Sequence, residues 1–375
     1  METTTTESLL PTPLADLHAS NGAKLGSWFG CALPDGFGDW RSEYSFARNT
    51  VALIDKNYRM YVSFAGPDRV RYLNAILTNN IKDLQTSHGI VSLLLNAQGH
   101  ILAEIETYAF PDKLFCLSYA MIRERLIQTL DKYIIMDDVT LTDETPLFGT
   151  LALEGPAAPS LVLDLTGIDL NALPDLVRTQ AQVRDLPCTI VRRSPGGSTG
   201  ADFLVERPHL EHLWHFFLEG TRAAAGGPMG YTALNALRLV QGVPWFGYDF
   251  GEKQIPHEAG LEDSHLSYTK GCYTGQEIVE PVRSRGHVNR KRVHLIFPGT
   301  AVPAAGETLT ADGKEVGYVT RAAAPPSLPF AIGMGYVRKE NNSPGSQLRW
   351  SGGTCVVSQS PDELPHEPTA PDALR

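Results

Sequence analysis

The sequence predicts an α+β protein whose C-terminal part is a small antiparallel β-barrel or sandwich. Three observations lead to this fold class. Strand-like segments in the N-terminal part occur as hairpins that alternate with single helices, which favours α+β layers over a parallel, doubly wound sheet. Apolar residues at helical spacing mark the helices between them. From Val293 onward the chain changes to short strands with frequent glycine and proline.

The first step from strand to helix is predicted close to residue 60. Apolar side chains alternate along 59–64, RMYVSF, and therefore lie on one face of a strand. The stretch that follows places Val70, Leu73 and Leu77 on one side of a helix. Together these segments predict one strand followed by one helix.

A hairpin is predicted next along the chain. A strand over 99–110 is expected to pair with a strand over 113–118 across a short Pro-Asp turn. Ile122, Leu126 and Leu130 then recur at the spacing of an amphipathic helix. This order is the α+β arrangement named above.

The C-terminal region has a different sequence pattern. Two amphipathic helices, over 210–218 and 231–239, precede it. Its strand-like segments are VHLIF, DGKEVGYVT, AIGMGYV and QLRWSGGTCVV. A run of about 75 residues with this pattern is typical of a small antiparallel barrel or sandwich.

Composition and charge exclude several classes of function. The 375 residues are 42% hydrophobic and 20% charged, the balance of a globular protein. A formal net charge of −10 argues against broad binding to nucleic acid or to membrane surfaces. Five cysteines without a CxxC pair or zinc spacing indicate a reducing compartment, and no metal ligands are predicted. The N-terminal segment lacks the features of a signal or transit peptide, so we expect a cytoplasmic protein.

Two short segments could bind anions. The segment 283–292, RSRGHVNRKR, is either a solvated linker or a local anion site, because guanidinium groups bind carboxylates and phosphates in a bidentate way. A tail of linked carboxylates and an RNA backbone would both fit such a site. The segment 194–200, SPGGSTG, is predicted to be a hairpin turn, because it lacks the Lys-Ser/Thr pair of a phosphate loop.

The segment 270–277, KGCYTGQE, raises the question of what Cys272 does. An isolated cysteine is most often buried and inert. The neighbouring glycines, lysine and glutamine are poor material for a core. Lys270 and the basic residues beyond 283 would lower the thiol pKa and raise the fraction of reactive thiolate. Spacing alone leaves both interpretations open.

The same segment carries a resemblance to a known family. KGCYTGQE, followed by RGHVNRKRV and preceded by ALRLVQGVPWFGYDF and IPHEAGL, closely resembles the YgfZ branch of the glycine-cleavage T-protein (aminomethyltransferase) superfamily. The resemblance implies three domains in a ring, with a folate pocket in the middle and a β-barrel last. We therefore predict a folate-binding region of two interleaved α+β domains over 14–290, a barrel over 291–358 and a disordered tail over 359–375.

The resemblance implies a protein that binds tetrahydrofolate and supports the assembly or repair of iron–sulfur clusters, and through them tRNA-modifying enzymes. Iron–sulfur proteins would be its clients, and direct RNA or membrane binding is not expected. The alternative is a folate-dependent aminomethyl- or demethylating transferase. Aminomethyltransferases carry an acidic pair where this chain has Ala103 followed by Glu104. Because neighbouring side chains of a strand point to opposite faces, Glu104 is not expected to replace the missing carboxylate, which argues against glycine cleavage.

The resemblance also implies the residues of a folate site. A pterin edge offers paired donors to a carboxylate, and Asp202 matches the position of that carboxylate. Arg238 is expected to face the glutamate tail, and four basic residues are expected to guide polyglutamylated folate: Arg283, Arg285, Arg290 and Lys291. The predicted catalytic residue is Cys272, and the predicted cofactor-binding residues are Asn96, Asp202, Arg238, Lys270, Tyr273, Gln276, Arg283 and Arg285.

Overall fold

The computed structural model of the protein describes residues 9–286 and 288–358. The chain divides into two compact units. The first unit contains the residues up to Asn96, together with Leu102–Leu234 and Ser264–Thr274, and the second contains Ala97–Ile101, Asn235–Asp263 and the residues from Gly275 onward. The predicted tail over 359–375 lies outside the described residues, as does His287 of the basic segment.

Helices and strands are mixed along the chain. The helices are α1 (Ala15–Ser20), α2 (Trp40–Asn49), α3 (Arg69–Ile76), α4 (Arg123–Lys132), α5 (Ala158–Thr166), α6 (Leu210–Ala223), α7 (Tyr231–Val240), α8 (Pro256–Ala259) and α9 (Gln276–Arg285). The strands are β1 (Leu10–Pro11), β2 (Lys24–Trp28), β3 (Cys31–Gly36), β4 (Ala52–Asp55), β5 (Arg59–Ala65), β6 (Gly89–Leu95), β7 (Ile101–Ala109), β8 (Leu114–Tyr119), β9 (Thr140–Asp143), β10 (Phe148–Glu154), β11 (Arg178–Val183), β12 (Leu186–Arg192), β13 (Gly200–Glu206), β14 (Gly227–Pro228), β15 (Arg290–Phe297), β16 (Thr308–Ala311), β17 (Lys314–Ala323), β18 (Ala331–Arg338), β19 (Gln347–Trp350) and β20 (Gly353–Ser358).

Three sheets build the first unit. The six-stranded sheet has the strand order β11-β12-β13-β10-β4-β14, the five-stranded sheet has the order β6-β7-β8-β5-β9, and a small sheet has the order β1-β3-β2. Leu213, Trp214 and Phe217 of α6 are buried in one cluster with Leu151 of β10 and Phe203 of β13. This packing confirms the amphipathic helix predicted over 210–218.

One face of the five-stranded sheet packs against helices. Met60 and Val62 of β5 and Ile105 of β7 line a small apolar space with Leu73 of α3 and Leu126 of α4. The strand predicted over 59–64 and the helix after it are therefore confirmed. The predicted hairpin is also confirmed, because β7 and β8 pair in antiparallel register.

The second unit contains the closed barrel. Its strand order is β15-β18-β17-β16-β19-β20, so residues Arg290 to Ser358 form a barrel and the sandwich alternative is excluded. The barrel core consists of apolar side chains from these strands, among them Leu295, Phe297 and Val319. No helix within 9–286 or 288–358 is long and apolar enough to span a membrane.

We expect Phe217→Ala to destabilise the first unit by about 3–5 kcal/mol, because it removes a fully buried ring from a close-packed core. The ring of Phe217 lies 4.6 Å from that of Phe203, centroid to centroid. Urea unfolding measures the change in the free energy of unfolding. The control is Leu163→Ala on α5, whose side chain is 46% exposed and should cost under about 1 kcal/mol. Equal losses in the two variants would contradict this assignment of the core.

Candidate functional site

The first unit contains a cluster of charged side chains that we call the buried polar cluster: Lys56, Arg59, Glu106 and Asp202, which are buried, and Arg193, which is half-buried. The ammonium of Lys56, just after β4, forms an ion pair with Asp202 of β13. Arg59 at the start of β5 donates to Glu106 of β7 at 2.7 Å, and Arg193 after β12 donates to the same carboxylate oxygen at 3.1 Å. Both sheets therefore contribute to one buried network.

The charged neighbours of Glu106 and Lys56 shift the pKa values of these two groups. Burial opposes the charge on Glu106, yet Arg59, Arg193 and Lys56 hold its pKa far below the usual range. Burial lowers the pKa of Lys56, and the neighbouring Asp202 offsets part of that effect. Glu106 is consequently an anion at neutral pH.

The two carboxylate oxygens of Asp202 differ in their hydrogen bonds. Its Oδ2 accepts from Lys56, whereas Oδ1 is buried and has no hydrogen-bond partner among residues 9–286 and 288–358. The residue is only 5% exposed. A buried acceptor without a donor costs about 1–3 kcal/mol, so such an atom is a candidate for contact with a ligand.

An aromatic space lies between the two sheets. Asp202 lines it together with Tyr108, Phe110, Phe115, Leu117, Thr150, Thr189, Val191 and Leu204. An adjoining cavity of about 190 Å³ shares Phe110, Phe115, Thr189 and Leu204 with it and opens toward Lys113 and Glu206. The space next to Asp202 is itself small, about 20 Å³, so a bicyclic ring requires one of the shared side chains to move.

Glu104 lies on the same face of β7 as Glu106. Its Oε2 accepts from Tyr119 at 2.6 Å, and its Oε1 lies 3.1 Å from Nε2 of His265. Burial favours the neutral acid, but His265 and Tyr119 outweigh burial and lower the pKa of Glu104. Glu104 is therefore a second buried carboxylate with defined partners.

Ala103 lies on the opposite face of β7. It is fully buried, and it shares that face with Ile105, which lines the apolar space against α3 and α4. A carboxylate at position 103 would lie in this apolar layer. The resemblance implies that position 103 faces the site, whereas in the structure the polar face of β7 carries Glu104.

Cys272 is exposed, whereas Cys31, Cys116, Cys188 and Cys355 are buried. The interpretation of Cys272 as a buried, inert residue is therefore wrong. For the four buried thiols, burial raises the pKa to about 12, which leaves them protonated at neutral pH.

Lys270 anchors this segment to the end of α3. Its ammonium donates to the carbonyl oxygens of Asn74, Leu77 and Asn79. Burial lowers the pKa of Lys270 to about 8. The ring of Tyr273 lies 5.2 Å from the ammonium and is buried. Because its protons go to carbonyl oxygens, Lys270 holds the segment in place.

Arg238 lies in the second unit and is fully buried. Its guanidinium forms an ion pair with Asp249 and donates twice to Oδ1 of Asn235, at 3.0 and 2.8 Å. These contacts occupy the paired N–H donors that would otherwise bind a ligand carboxylate. The structure therefore corrects the expectation that Arg238 faces a glutamate tail.

The remaining predicted residues are distributed along the chain. Asn96 is half-buried directly after β6, and Gln276 is the half-buried first residue of α9. Arg283 is exposed on α9, 3.9 Å from Glu280, and Arg285 is the last residue of that helix. Two basic residues are already paired: Arg290 with Glu258 and Lys291 with Glu262, each at 3.1 Å.

The glycine-rich segment SPGGSTG closes around Glu154. Ser194 Oγ donates to its carboxylate at 2.6 Å, and the backbone N–H groups of Gly196 and Ser198 donate at 3.2 and 3.0 Å. The segment thus binds a carboxylate of its own chain, in agreement with its interpretation as a turn. Sequence reasoning missed Glu154, as it missed Lys56, Arg59, Glu106 and Arg193.

Comparison with known proteins agrees with this architecture. Residues 14–264 match the model of the GCVT N-terminal domain, and residues 290–352 match that of the glycine cleavage T-protein C-terminal barrel domain. The chain belongs to the glycine cleavage T-protein family. Within this family it is 27% identical to an aminomethyltransferase of Streptomyces avermitilis over 338 residues, covering 89% of this chain and 91% of that protein. An aminomethyltransferase of Caldanaerobacter subterraneus is 24% identical over 347 residues, covering 91% of each.

A solved T-protein structure has the same fold. The crystal structure of glycine cleavage system aminomethyltransferase T from Bartonella henselae aligns with a TM-score of 0.85 at 22% identity, covering 94% of this chain and 97% of that one. This agreement confirms the predicted fold class of mixed helices and strands with a closed C-terminal barrel.

We expect Glu154→Gln to change how stability depends on pH. Burial, opposed by three hydrogen bonds, raises the pKa of Glu154 to about 7, above its value in the unfolded chain. The folded protein therefore binds a proton that the unfolded chain releases, and wild-type stability falls as the pH rises from about 4.5 to 7, by up to about 3 kcal/mol. Urea unfolding at pH 5 and pH 8 measures the free energy of unfolding. The value for the variant, relative to wild type, should be higher at pH 8 than at pH 5.

The control for this experiment is Glu206→Gln, an exposed residue at the end of β13. It should follow the wild-type pH dependence. A variant at 154 that also follows wild type would contradict the raised pKa.

Proposed function

We propose that this protein binds tetrahydrofolate, with the pterin ring held against Asp202. The observation that carries the proposal is the buried Oδ1 of Asp202, which has no donor among the described residues. A pterin supplies an amide N–H and an amino group on one edge, and these are the donors that this oxygen lacks. Tyr108, Phe110 and Phe115 provide aromatic surface for the ring.

The activity proposed first is folate-dependent one-carbon transfer of the aminomethyl class. Relatives named aminomethyltransferase support it. When bound, tetrahydrofolate supplies the amine that accepts the one-carbon unit. Glu104 is placed to take a proton, because it is ionised, buried and oriented by Tyr119 and His265. His265, 12% exposed at its side chain, connects this carboxylate with the surface.

A second function is favoured by the exposure of Cys272. Under this proposal the protein is of the YgfZ type, binds folate at the same site, and supports iron–sulfur proteins through the thiol. The thiol lies in an irregular segment that Lys270 anchors, so it is accessible to a partner at a defined position. Both functions require the same folate site, so folate binding is tested before either activity.

We expect Asp202→Asn to weaken tetrahydrofolate binding by about 10- to 100-fold, because it removes the negative charge that strengthens hydrogen bonds from the pterin donors to Oδ1. Isothermal titration calorimetry measures the affinity. The substitution also leaves Lys56 without its counter-charge, so the double variant Lys56→Met/Asp202→Asn is measured in parallel to keep the cluster neutral.

The matched control is Asp164→Asn, an exposed carboxylate on α5, which should bind folate as wild type does. Wild-type affinity in a folded double variant would falsify the assignment of Asp202.

Substitutions at Glu104 and Cys272 distinguish the two activities. If aminomethyl transfer is the function, Glu104→Gln should bind folate normally but lower tetrahydrofolate-dependent turnover of an aminomethyl carrier by about 100-fold, while Cys272→Ser turns over normally. If iron–sulfur support is the function, Cys272→Ser should fail to restore a cluster-dependent enzyme in a deletion strain, while Glu104→Gln restores it. Absence of turnover by the wild-type protein would contradict the proposal of aminomethyl transfer.

A further inference from the structure

Three hydrogen-bonded side chains of the first unit run from its surface to a buried carboxylate. Ser264 Oγ lies 2.7 Å from Nδ1 of His265, and Nε2 of His265 lies 3.1 Å from Oε1 of Glu104. Ser264 is exposed, whereas the side chains of His265 and Glu104 are 12% and 10% exposed. We call these three residues the Ser–His–Glu triad. The order of hydroxyl, imidazole and carboxylate is the one by which serine hydrolases activate their nucleophile.

The carboxylate determines which ring nitrogen of His265 carries a proton. Burial favours the neutral form of Glu104, but the hydrogen bonds with His265 and Tyr119 lower its pKa, so the group is ionised. An ionised carboxylate only accepts hydrogen bonds, and Nε2 of His265 must therefore donate to it. In the neutral ring Nδ1 is then the acceptor, and Ser264 Oγ donates to it. His265 is consequently oriented as a base for the serine hydroxyl.

Contacts outside the triad hold it in this arrangement. Thr78 Oγ1 donates to the carbonyl oxygen of His265 at 2.7 Å, and the backbone N–H of Ser267 donates to the carbonyl oxygen of Thr78 at 3.0 Å. Tyr119 donates to Oε2 of Glu104 at 2.6 Å. The base and the carboxylate are therefore positioned before any substrate binds.

Ser160 on α5 is an exposed serine without such a base. Its Oγ donates to the carbonyl oxygen of Ala157 at 3.0 Å. A carbonyl oxygen accepts a hydrogen bond but does not take up the proton, so this hydroxyl remains a weak nucleophile. Ser264 differs because its acceptor is an imidazole nitrogen, which takes up a proton at neutral pH.

We infer that Ser264 is a nucleophile that accepts acyl groups from carboxylic esters, with His265 as its general base and Glu104 as the positioning residue. Ser264 Oγ bonds to the ester carbonyl carbon, and its proton passes to Nδ1 of His265. The bond between that carbon and the alcohol oxygen then breaks, and the imidazolium returns the proton to the leaving alcohol. Water releases the acyl group as a carboxylic acid and restores the serine. Folate takes no part, so this activity is independent of the function proposed above.

Acetylation by p-nitrophenyl acetate, followed by peptide mapping, tests the inference. Mapping assigns the acetyl group to a residue, because the Cys272 thiol is exposed too. In wild type Ser264 should be acetylated at least about 100-fold faster than Ser160, the gain expected from a general base. His265→Ala should remove most of this difference, and imidazole added to the buffer should restore part of it.

Two substitutions at position 104 test the positioning role of the carboxylate. Glu104→Gln should slow acetylation of Ser264 by about tenfold or more, because an amide donates to Nε2 and favours the wrong tautomer of His265. Glu104→Asp keeps the charge and should react faster than Glu104→Gln. Loss of packing alone predicts the opposite order, since Gln has the size of Glu and Asp is shorter.

Ser264→Ala, a substitution at the surface, should abolish acetylation at this position, and the matched control Ser160→Ala should leave the rate at Ser264 unchanged. Urea unfolding checks that each variant is folded. Equal acetylation of Ser264 and Ser160 in wild type would overturn the inference. An unchanged rate at Ser264 in folded His265→Ala would overturn it as well.

Discussion

The ion pair between Lys56 and Asp202 is the interaction on which the interior of the first unit depends. The two residues are 146 positions apart, and the neighbouring strands β4, β10 and β13 bring them together. Both are almost completely buried, so loss of either would leave an uncompensated charge at a cost of about 3–5 kcal/mol. Arg59 and Glu106 of the other sheet complete the network. A ligand must therefore match a fixed pattern of charges, and the pattern exists before the ligand arrives.

Sequence periodicity predicted the strands well but described only one of their two faces. Along β5 the apolar residues Met60, Val62 and Phe64 were assigned to the core, and Arg59 and Tyr61 on the other face received no role. In the structure a second sheet covers that face, so its charged side chains are buried too. The same reason explains why Glu104 was assigned to the wrong side of β7: alternation was correct, but nothing in one strand indicates which face meets another sheet.

Lys270 and Cys272 of the segment KGCYTGQE have different surroundings. Lys270 binds three carbonyl oxygens at the end of α3, where a helix leaves its last acceptors unpaired, and Cys272 two positions later remains exposed. The lysine therefore holds in place the segment that carries the sulfur. Resemblance alone marks this segment as a candidate site, whereas the contacts that fix Lys270 come from distant residues that no local pattern includes.

The bulge in β17 determines which side chains of this strand face the barrel core. Val319 and Arg321 are two positions apart and would share a face in a regular strand, yet one lies in the barrel core and the other over Tyr248. One extra residue separates their orientations. If β17 kept all its residues but ran through this point without the bulge, Arg321 would share the face of Val319 and point toward Leu295 and Phe297. A barrel with a regular strand at this point therefore presents different side chains to its surroundings, even where its sequence aligns with this one without a gap.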